Sequence, residues 1–237
     1  MTRSLPRKQT RKEDETSGVS KGLVTVLDPA SIASEAYRTL RTNLLYAAVD
    51  APPKVILLTS PGSAEGKSIT CANLGVVLAQ AGKETLVLDG DLREPSMHKI
   101  FGIRDPNGLV TVLSGEHDLS EVWKEPLPGL KVVAAGLMPP NPTELLSSDR
   151  FANVITKARQ SFHYVLIDSP PTELVSDPVI IATRSDAALL VVDSKGTSRR
   201  SLRKAMHSLK AVGINILGTV MNKVDEGAIG RYSDYYP

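Results

Sequence analysis

The sequence predicts an α/β fold, a mostly parallel twisted sheet with helices on both faces, and three observations carry that reading. Short, continuous apolar runs rich in β-branched residues recur along the chain, as expected of strands buried on both sides. Helical patterns separate several of them, which is the connection that parallel strands need. The first of these runs, Val55-Ile56-Leu57-Leu58-Thr59, passes straight into a glycine-containing turn and then a helix.

Residues 1–22 read as a disordered N-terminal tail. Arg3, Arg7, Lys8, Arg11 and Lys12 make it basic, followed at once by Glu13, Asp14 and Glu15. Attraction of that leader to an anionic membrane would be worth about 1 kcal/mol per basic residue near the surface. Gly22–Leu27 reads as a short strand and Ser31–Ala48 as a helix, which Pro52-Pro53 stops before the strand at Val55. Further strands are expected at Thr85–Asp89, Leu130–Ala134, Tyr164–Asp168, Ala187–Asp193 and Ile214–Met221. Helices are expected at Ser68–Ala81, Arg150–Ser161 and Ser198–Ala211. One folded domain then covers 23–225, and 226–237 forms a flexible C-terminal tail. Right-handed crossovers would gather the strand C-terminal ends, and any ligand, along one edge.

Composition excludes several classes. No run approaches the roughly 18 apolar residues that cross a bilayer, and the polar leader lacks the apolar centre of a signal peptide. Cys71, the sole cysteine, permits neither an internal disulfide nor a cysteine metal cluster, and its place early in a helix suits a buried small hydrophobe. A net charge of +2 does not call for nucleic acid. A cytoplasmic location is expected.

Pro61-Gly62-Ser63-Ala64-Glu65-Gly66-Lys67-Ser68 has the order strand, tight loop, helix that cradles phosphates. Loop and helix-terminal N–H groups converge on the anion and the helix dipole assists them. Lys67 would reach the terminal phosphates and the Ser68 hydroxyl would hold Mg²⁺. A side chain at Gly66 would keep the backbone from the phosphates. The chain therefore reads as a P-loop nucleoside triphosphatase fold, although Pro61 stands where the motif usually begins with Gly or Ala.

Three carboxylates accompany this loop. Asp89 and Asp91 end one strand at i and i+2, which in extended backbone points both the same way. Asp168 ends the run Tyr164-Val165-Leu166-Ile167 like a Walker B carboxylate, which holds Mg²⁺ directly or through water. Hard oxygen ligands and a proton acceptor suit phosphoryl transfer. Either Asp89 or Asp91 would orient or deprotonate an attacking hydroxyl; sequence alone does not separate base from metal ligand. Each aspartate taken singly also fits strand-end turn chemistry. Asn222-Lys223-Val224-Asp225 matches the string by which GTPases read guanine, but Asp168-Ser169-Pro170-Pro171 lacks the glycine those proteins carry after their Walker B strand. Asn222 is kept as an adenine contact, with turn composition as the plainer explanation of the string.

Taken together, Glu65-Gly66-Lys67-Ser68, Val87-Leu88-Asp89-Gly90-Asp91-Leu92-Arg93-Glu94-Pro95 and Ile167-Asp168-Ser169-Pro170-Pro171 resemble the three Walker motifs of the bacterial tyrosine kinases of capsule and exopolysaccharide synthesis. Glu35-x-x-Arg38-x-x-Arg41 resembles that family's oligomerisation motif, and Pro139-Pro140-Asn141-Pro142-Thr143-Glu144-Leu145-Leu146 its characteristic loop. The resemblance runs from about Ser31 to Asn222. It implies an ATP- and Mg²⁺-dependent protein-tyrosine autokinase that regulates polysaccharide synthesis and export. Gly62, Ser63, Ala64, Glu65, Gly66, Lys67, Ser68 and Asn222 would bind nucleotide. Lys67, Asp89, Asp91 and Asp168 would be catalytic, and Ser68 would join the three aspartates at the metal. Ala64 stands where many members have glycine, a departure that bears on loop geometry.

Tyr232, Tyr235 and Tyr236 fall within the last six residues and resemble the family's C-terminal phosphoacceptor cluster, modified in trans by a neighbouring subunit. A tail that docks on a groove through its rings is the plainer reading of these tyrosines. For Glu35, Arg38 and Arg41, on one helix face, the plainer reading is a solvated ion-pair row. The resemblance further implies a homo-oligomeric ring and a separate membrane chain-length-regulator protein that activates the kinase. It also implies a cognate tyrosine phosphatase and a place at the inner face of the membrane. Two rivals remain. A partition or septum-placement ATPase switch would carry a signature lysine where Gly62 stands and, in its membrane-targeting form, a C-terminal amphipathic helix, for which Arg231–Pro237 is too short. A non-catalytic ATP-binding scaffold is countered by the intact Lys67, Asp89, Asp91 and Asp168.

Overall fold

The computed structural model describes residues 19–47 and 52–225. Their centre is a seven-stranded sheet of order β3-β4-β2-β5-β1-β6-β7. Its strands are β1 (Val55–Thr59), β2 (Thr85–Asp89), β3 (Lys124–Leu127), β4 (Leu130–Val133), β5 (Tyr164–Asp168), β6 (Ala187–Asp193) and β7 (Asn215–Asn222). Every pairing is parallel except β3 with β4, a hairpin that turns the edge strand back. The six strands expected from Val55 onward are all present, within a residue or two of their sequence bounds. The hairpin strand β3 escapes sequence reading because Lys124-Glu125-Pro126-Leu127 is polar and carries proline.

Side-chain alternation divides the core in two. Val55 and Leu57 of β1, with Leu86 and Leu88 of β2, face one layer. That layer includes α5 (Leu109–Ser114), α8 (Asp149–Ser161) and α10 (Arg199–Lys210), and Phe151 is its largest fully buried side chain. Ile56, Leu58 and Val87 face the other layer, built on α2 (Ile32–Tyr46), α3 (Lys67–Gln80) and α4 (Met97–Phe101). Cys71 on α3 is fully buried there, as its position suggests. The short helices α4, α5, α6 (Leu119–Val122), α7 (Pro142–Ser147) and α9 (Asp177–Ala182) span too few turns to show a helical period in sequence.

One expectation is overturned. Gly22–Leu27 is not a strand: Val24–Leu27 forms a single helical turn, α1, preceded by chain in which Ser20 N–H donates to the Ile100 carbonyl. Asn73 on α3 is the physical reason. Its Oδ1 accepts from the Thr25 N–H at 3.0 Å and the Thr25 hydroxyl at 2.8 Å, while its Nδ2 donates to the Gly22 carbonyl at 2.8 Å. These bonds satisfy the groups a sheet partner would otherwise have taken, and Leu23 and Thr25 are buried as a result. Helix α2 then starts at a Ser31 cap that accepts from the Ser34 N–H.

Because β1 sits between β5 and β6, and β2 lies beyond β5, the loops after β1, β2 and β5 open at one edge. Asn73→Ala leaves the Thr25 and Gly22 polar groups unpaired in a buried place. A loss of about 1–3 kcal/mol is expected, read as a lower midpoint in urea unfolding without a change of slope.

Candidate active site

The loop between β1 and α3 forms a cleft of about 270 Å³ walled by Ser63, Ala64, Gly66, Lys67, Ser68, Asp91 and Glu94, among others. Helix α3 begins at Lys67, one residue before its expected start, with Gly66 as its N-cap at φ 92°. No side chain caps that terminus, so its N–H groups stay open toward the cleft. Ala64 also sits in the left-handed region, at φ 58°. A Cβ in that conformation costs about 1–2 kcal/mol, yet the loop geometry is kept.

Distant segments brace the loop. Thr172 and Glu173, beyond β5, donate their N–H groups to the carbonyls of Ser60 and Pro61 at 2.9 and 3.1 Å. The Asn222 amide at the end of β7 donates to the Glu65 carbonyl at 2.9 Å. A Cβ on Gly66 would lie 2.0 Å from that same amide nitrogen. Glycine is therefore required at 66 for its backbone angle and for the packing of Asn222, before any phosphate is considered. Glu65 is buried, and its Oε1 accepts from the Thr197 hydroxyl at 2.5 Å. These roles for Glu65, Asn222 and Thr197 escaped sequence reading. The rest of the guanine-like string is spent on the neighbouring loop, where Lys223 pairs with Asp193 at 2.7 Å and Asp225 with Lys195 at 2.6 Å.

Lys67 is nearly buried among acids. Its Nζ donates to Asp91 Oδ2 at 3.0 Å and to Ser68 Oγ at 3.2 Å, and lies 3.7 Å from Asp168 Oδ1. Burial pushes the ammonium pKa down, but Asp168, Asp91 and Asp89 outweigh it and the net shift is upward. Asp89 and Asp168 are register partners on β2 and β5, both fully buried. Burial first, then the Asp168 charge, raises Asp89 to about 8, against the pull of two amide bonds. Burial raises Asp168 to about 6, opposed chiefly by Lys67 and the nearby Ser68 hydroxyl.

The two carboxylates of the Asp-x-Asp pair do different things. Asp89 Oδ2 accepts from the Ser96 and Met97 N–H groups at 3.0 and 2.9 Å, holding the start of α4, and its Oδ1 has no partner. Asp91 walls the phosphate cleft, accepting from Lys67 on one oxygen and from the Glu94 N–H on the other. Neither oxygen of Asp168 has a well-aligned hydrogen bond. Among the described residues no three acidic, imidazole or thiol side chains form a self-sufficient metal cage. The donors nevertheless fit magnesium. It keeps several ligands from phosphate and water and needs one or two carboxylates, and the orphaned buried oxygens of Asp168 near the Ser68 hydroxyl, with the unpartnered Oδ1 of Asp89, supply that chemistry.

A further network joins the loop after β2 to α7 and α9. Arg93 donates to buried Asp177 through Nε at 2.7 Å and to Thr143 Oγ1 through Nη2 at 2.9 Å; the Thr143 hydroxyl donates to Asp177 at 2.8 Å. Thr143 belongs to the proline-rich string noted in sequence. Asp177, in the first turn of α9, carried no comparable signal. On α2, Glu35 and Arg38 pair at 2.7 Å on the surface, but Arg41 turns inward and donates to the Val77 carbonyl of α3. The three do not form one solvated row. Tyr232, Tyr235 and Tyr236 lie outside the described residues.

Residues 56–235 match the family model described as the CobQ/CobB/MinD/ParA nucleotide binding domain. The tyrosine-protein kinase YwqD of Bacillus subtilis is 36% identical over 225 residues, 94% of this chain and 94% of its own. The chain belongs to the bacterial tyrosine-protein kinases. Another relative, the tyrosine-protein kinase wzc of Salmonella typhi, is 31% identical over 98% of this chain, which spans only 33% of its length. The solved kinase domain of the Escherichia coli tyrosine kinase ETK superposes with a TM-score of 0.83 at 29% identity, covering 92% of this chain and 87% of that one.

For this kinase fold two outcomes are expected. Gly66→Ala drives a Cβ into Asn222 and should weaken a fluorescent ATP analogue by about ten-fold or more, with part of the loss recovered in Gly66→Ala plus Asn222→Ala. Asp89→Asn, without nucleotide or metal, concerns the raised carboxyl. Below about pH 4 both states of the native chain are protonated there. Between pH 4 and about 8 the unfolded chain ionises first and native stability falls, so the stability gain of Asp89→Asn over native should grow across that range and level off above it. Urea unfolding at several pH values measures it.

Proposed function

We propose that this kinase transfers the γ-phosphoryl group of Mg-ATP to tyrosines of the 226–237 segment of a neighbouring subunit, and so regulates capsular or exopolysaccharide synthesis and export. The supporting observation is the cleft that Lys67, Ser68 and Asp91 line at a helix N-terminus, with Asp168 buried 3.7 Å from the Lys67 ammonium. Lys67 now neutralises Asp91 and Asp168; with ATP bound it would turn to the β- and γ-phosphates, leaving the Asp91 carboxylate free at the cleft wall. Ser68 and Asp168 are the groups suited to hold magnesium, which would offset charge on the phosphates. Of the two candidate bases, Asp91 is the better placed to accept or orient the proton of an incoming tyrosine. Asp89, sunk behind it with one oxygen committed to Ser96 and Met97, shapes the cleft and contributes negative potential. Charge stabilisation and positioning supply most of the acceleration.

Assembly into a ring is supported by α2, where Glu35 and Arg38 are at the surface of a helix that also exposes the apolar Ile32 and Tyr46. Arg41, bonded to Val77, would act by seating that helix on α3. Among the described residues no helix is long and apolar enough to cross a membrane. Activation by a separate membrane chain-length regulator fits this, and would hold the kinase at the inner face of the cell membrane. A cognate tyrosine phosphatase would reset the cycle.

Lys67→Met is expected to abolish phosphotyrosine on incubation with Mg-ATP, whereas Tyr232, Tyr235 and Tyr236→Phe together remove the acceptors and retain ATP binding. Anti-phosphotyrosine blotting reads both, and an undiminished signal in Lys67→Met rejects the assignment. Transfer between subunits predicts that a Lys67→Met chain is labelled when mixed with an active chain lacking the three tyrosines.

A further inference from the structure

Helix α10 follows the loop that Thr197 ties to Glu65, and its outer face is strongly basic. Arg200, Arg203, Lys204 and His207 recur at i, i+3, i+4 and i+7, so they share one face. With Arg199 they line a groove of about 1000 Å³ whose facing wall is Thr172 and Glu173. Glu173 offsets one of these charges and leaves the lining positive. Among the described residues, none of these Arg and Lys side chains is in an ion pair, although such pairs are common elsewhere on the surface. The apolar side chains of α10 point into the core, so this face offers cations without the exposed apolar anchors that a membrane-inserting helix carries.

We propose that this groove is a receptor for the tyrosine-phosphorylated 226–237 segment of the chain itself. The charges are complementary: each phosphotyrosine brings about −1.5 to −2. Arg200 and Arg203 can each fork onto phosphate oxygens, and a guanidinium plane also stacks on a tyrosine ring. Connectivity favours the same occupant. The described chain stops at Asp225, whose carboxylate accepts from Lys195 Nζ at 2.6 Å, in the loop that leads into α10. Twelve residues follow, enough to span roughly 40 Å when extended, while a helix of α10's length runs about 18 Å. A tether of that length gives an effective concentration on the order of millimolar. Seating there would draw the modified segment away from the acidic cleft that made it. The groove backs onto the nucleotide loop, since the Thr172 and Glu173 amides hold the Ser60 and Pro61 carbonyls.

This rests on the kinase reading for the source of the phosphate, but its test does not. The receptor is the full chain with Tyr232, Tyr235 and Tyr236→Phe, and the probe is a fluorescein-labelled synthetic peptide of residues 226–237 phosphorylated on all three tyrosines. Anisotropy at moderate salt should show binding about ten-fold or more tighter than the unphosphorylated peptide. Arg200→Glu with Arg203→Glu should abolish that preference at an unchanged melting temperature, and Arg200→Lys should lose part of it. Equal affinity for the two peptides, or an unchanged affinity in the doubly reversed variant, overturns the proposal. Sedimentation with phosphatidylcholine–phosphatidylglycerol vesicles that the reversal abolishes, in a chain that ignores the phosphopeptide, also overturns it and assigns the face to anionic lipid. Peptide binding alongside a blank phosphotyrosine blot of the unsubstituted chain would leave the groove standing and reject the kinase reading alone.

Discussion

Lys67 carries its ammonium into a place where water is nearly excluded, and the ends of three strands are arranged to make that tolerable. A buried charge must be paired. Here the partners are Asp91 at 3.0 Å and Asp168 at 3.7 Å, with Asp89 behind them. Burial first, and then the charge of a neighbouring carboxylate, raises the proton affinity of Asp89 and Asp168. Such a site is built to gain from a metal and an anion together. Its cost appears as orphaned oxygens on Asp168 and Asp89, which a fold selected for stability alone would not retain.

That arrangement depends on sheet order more than on any single motif. β1 delivers the lysine, and β5, its hydrogen-bonded neighbour, delivers Asp168; β2, on the far side of β5, places Asp89 in register with it. The loop itself is held from outside. Asn222 from the end of β7, Thr197 from the approach to α10, and the Thr172–Glu173 backbone each contribute a hydrogen bond to it. The phosphate loop is therefore a junction among four chain segments, and a change at the α10 face has a short hydrogen-bonded route to it.

Much of this was readable in the sequence, for physical reasons that can be named. Strands buried on both faces must be continuously apolar, so β1, β2, β5 and β6 were placed within a residue. The phosphate loop and its acids were found because their chemistry demands particular residue types at a strand's end. Val24–Leu27, a run rich in β-branched residues, suits a strand by its composition until Asn73, about fifty positions away, claims its backbone. Asp177 passed unnoticed, since its meaning comes only from Arg93 and Thr143 meeting it across the fold. The Asp-x-Asp spacing suggested two equivalent acids, yet the chain leaves the strand after Asp89, so the pair faces different partners.

The sequence by itself determined the fold class, the phosphate loop and the identity of the acids, because local periodicity and the chemistry of anion binding constrain residue type at each position. Only the tertiary structure decided which acid meets the lysine and which is buried behind it. It alone recruited Glu65 and Asn222 to brace the loop and turned Arg41 inward while Glu35 and Arg38 stayed at the surface. Those choices depend on distances between residues far apart in the chain, which no local pattern encodes.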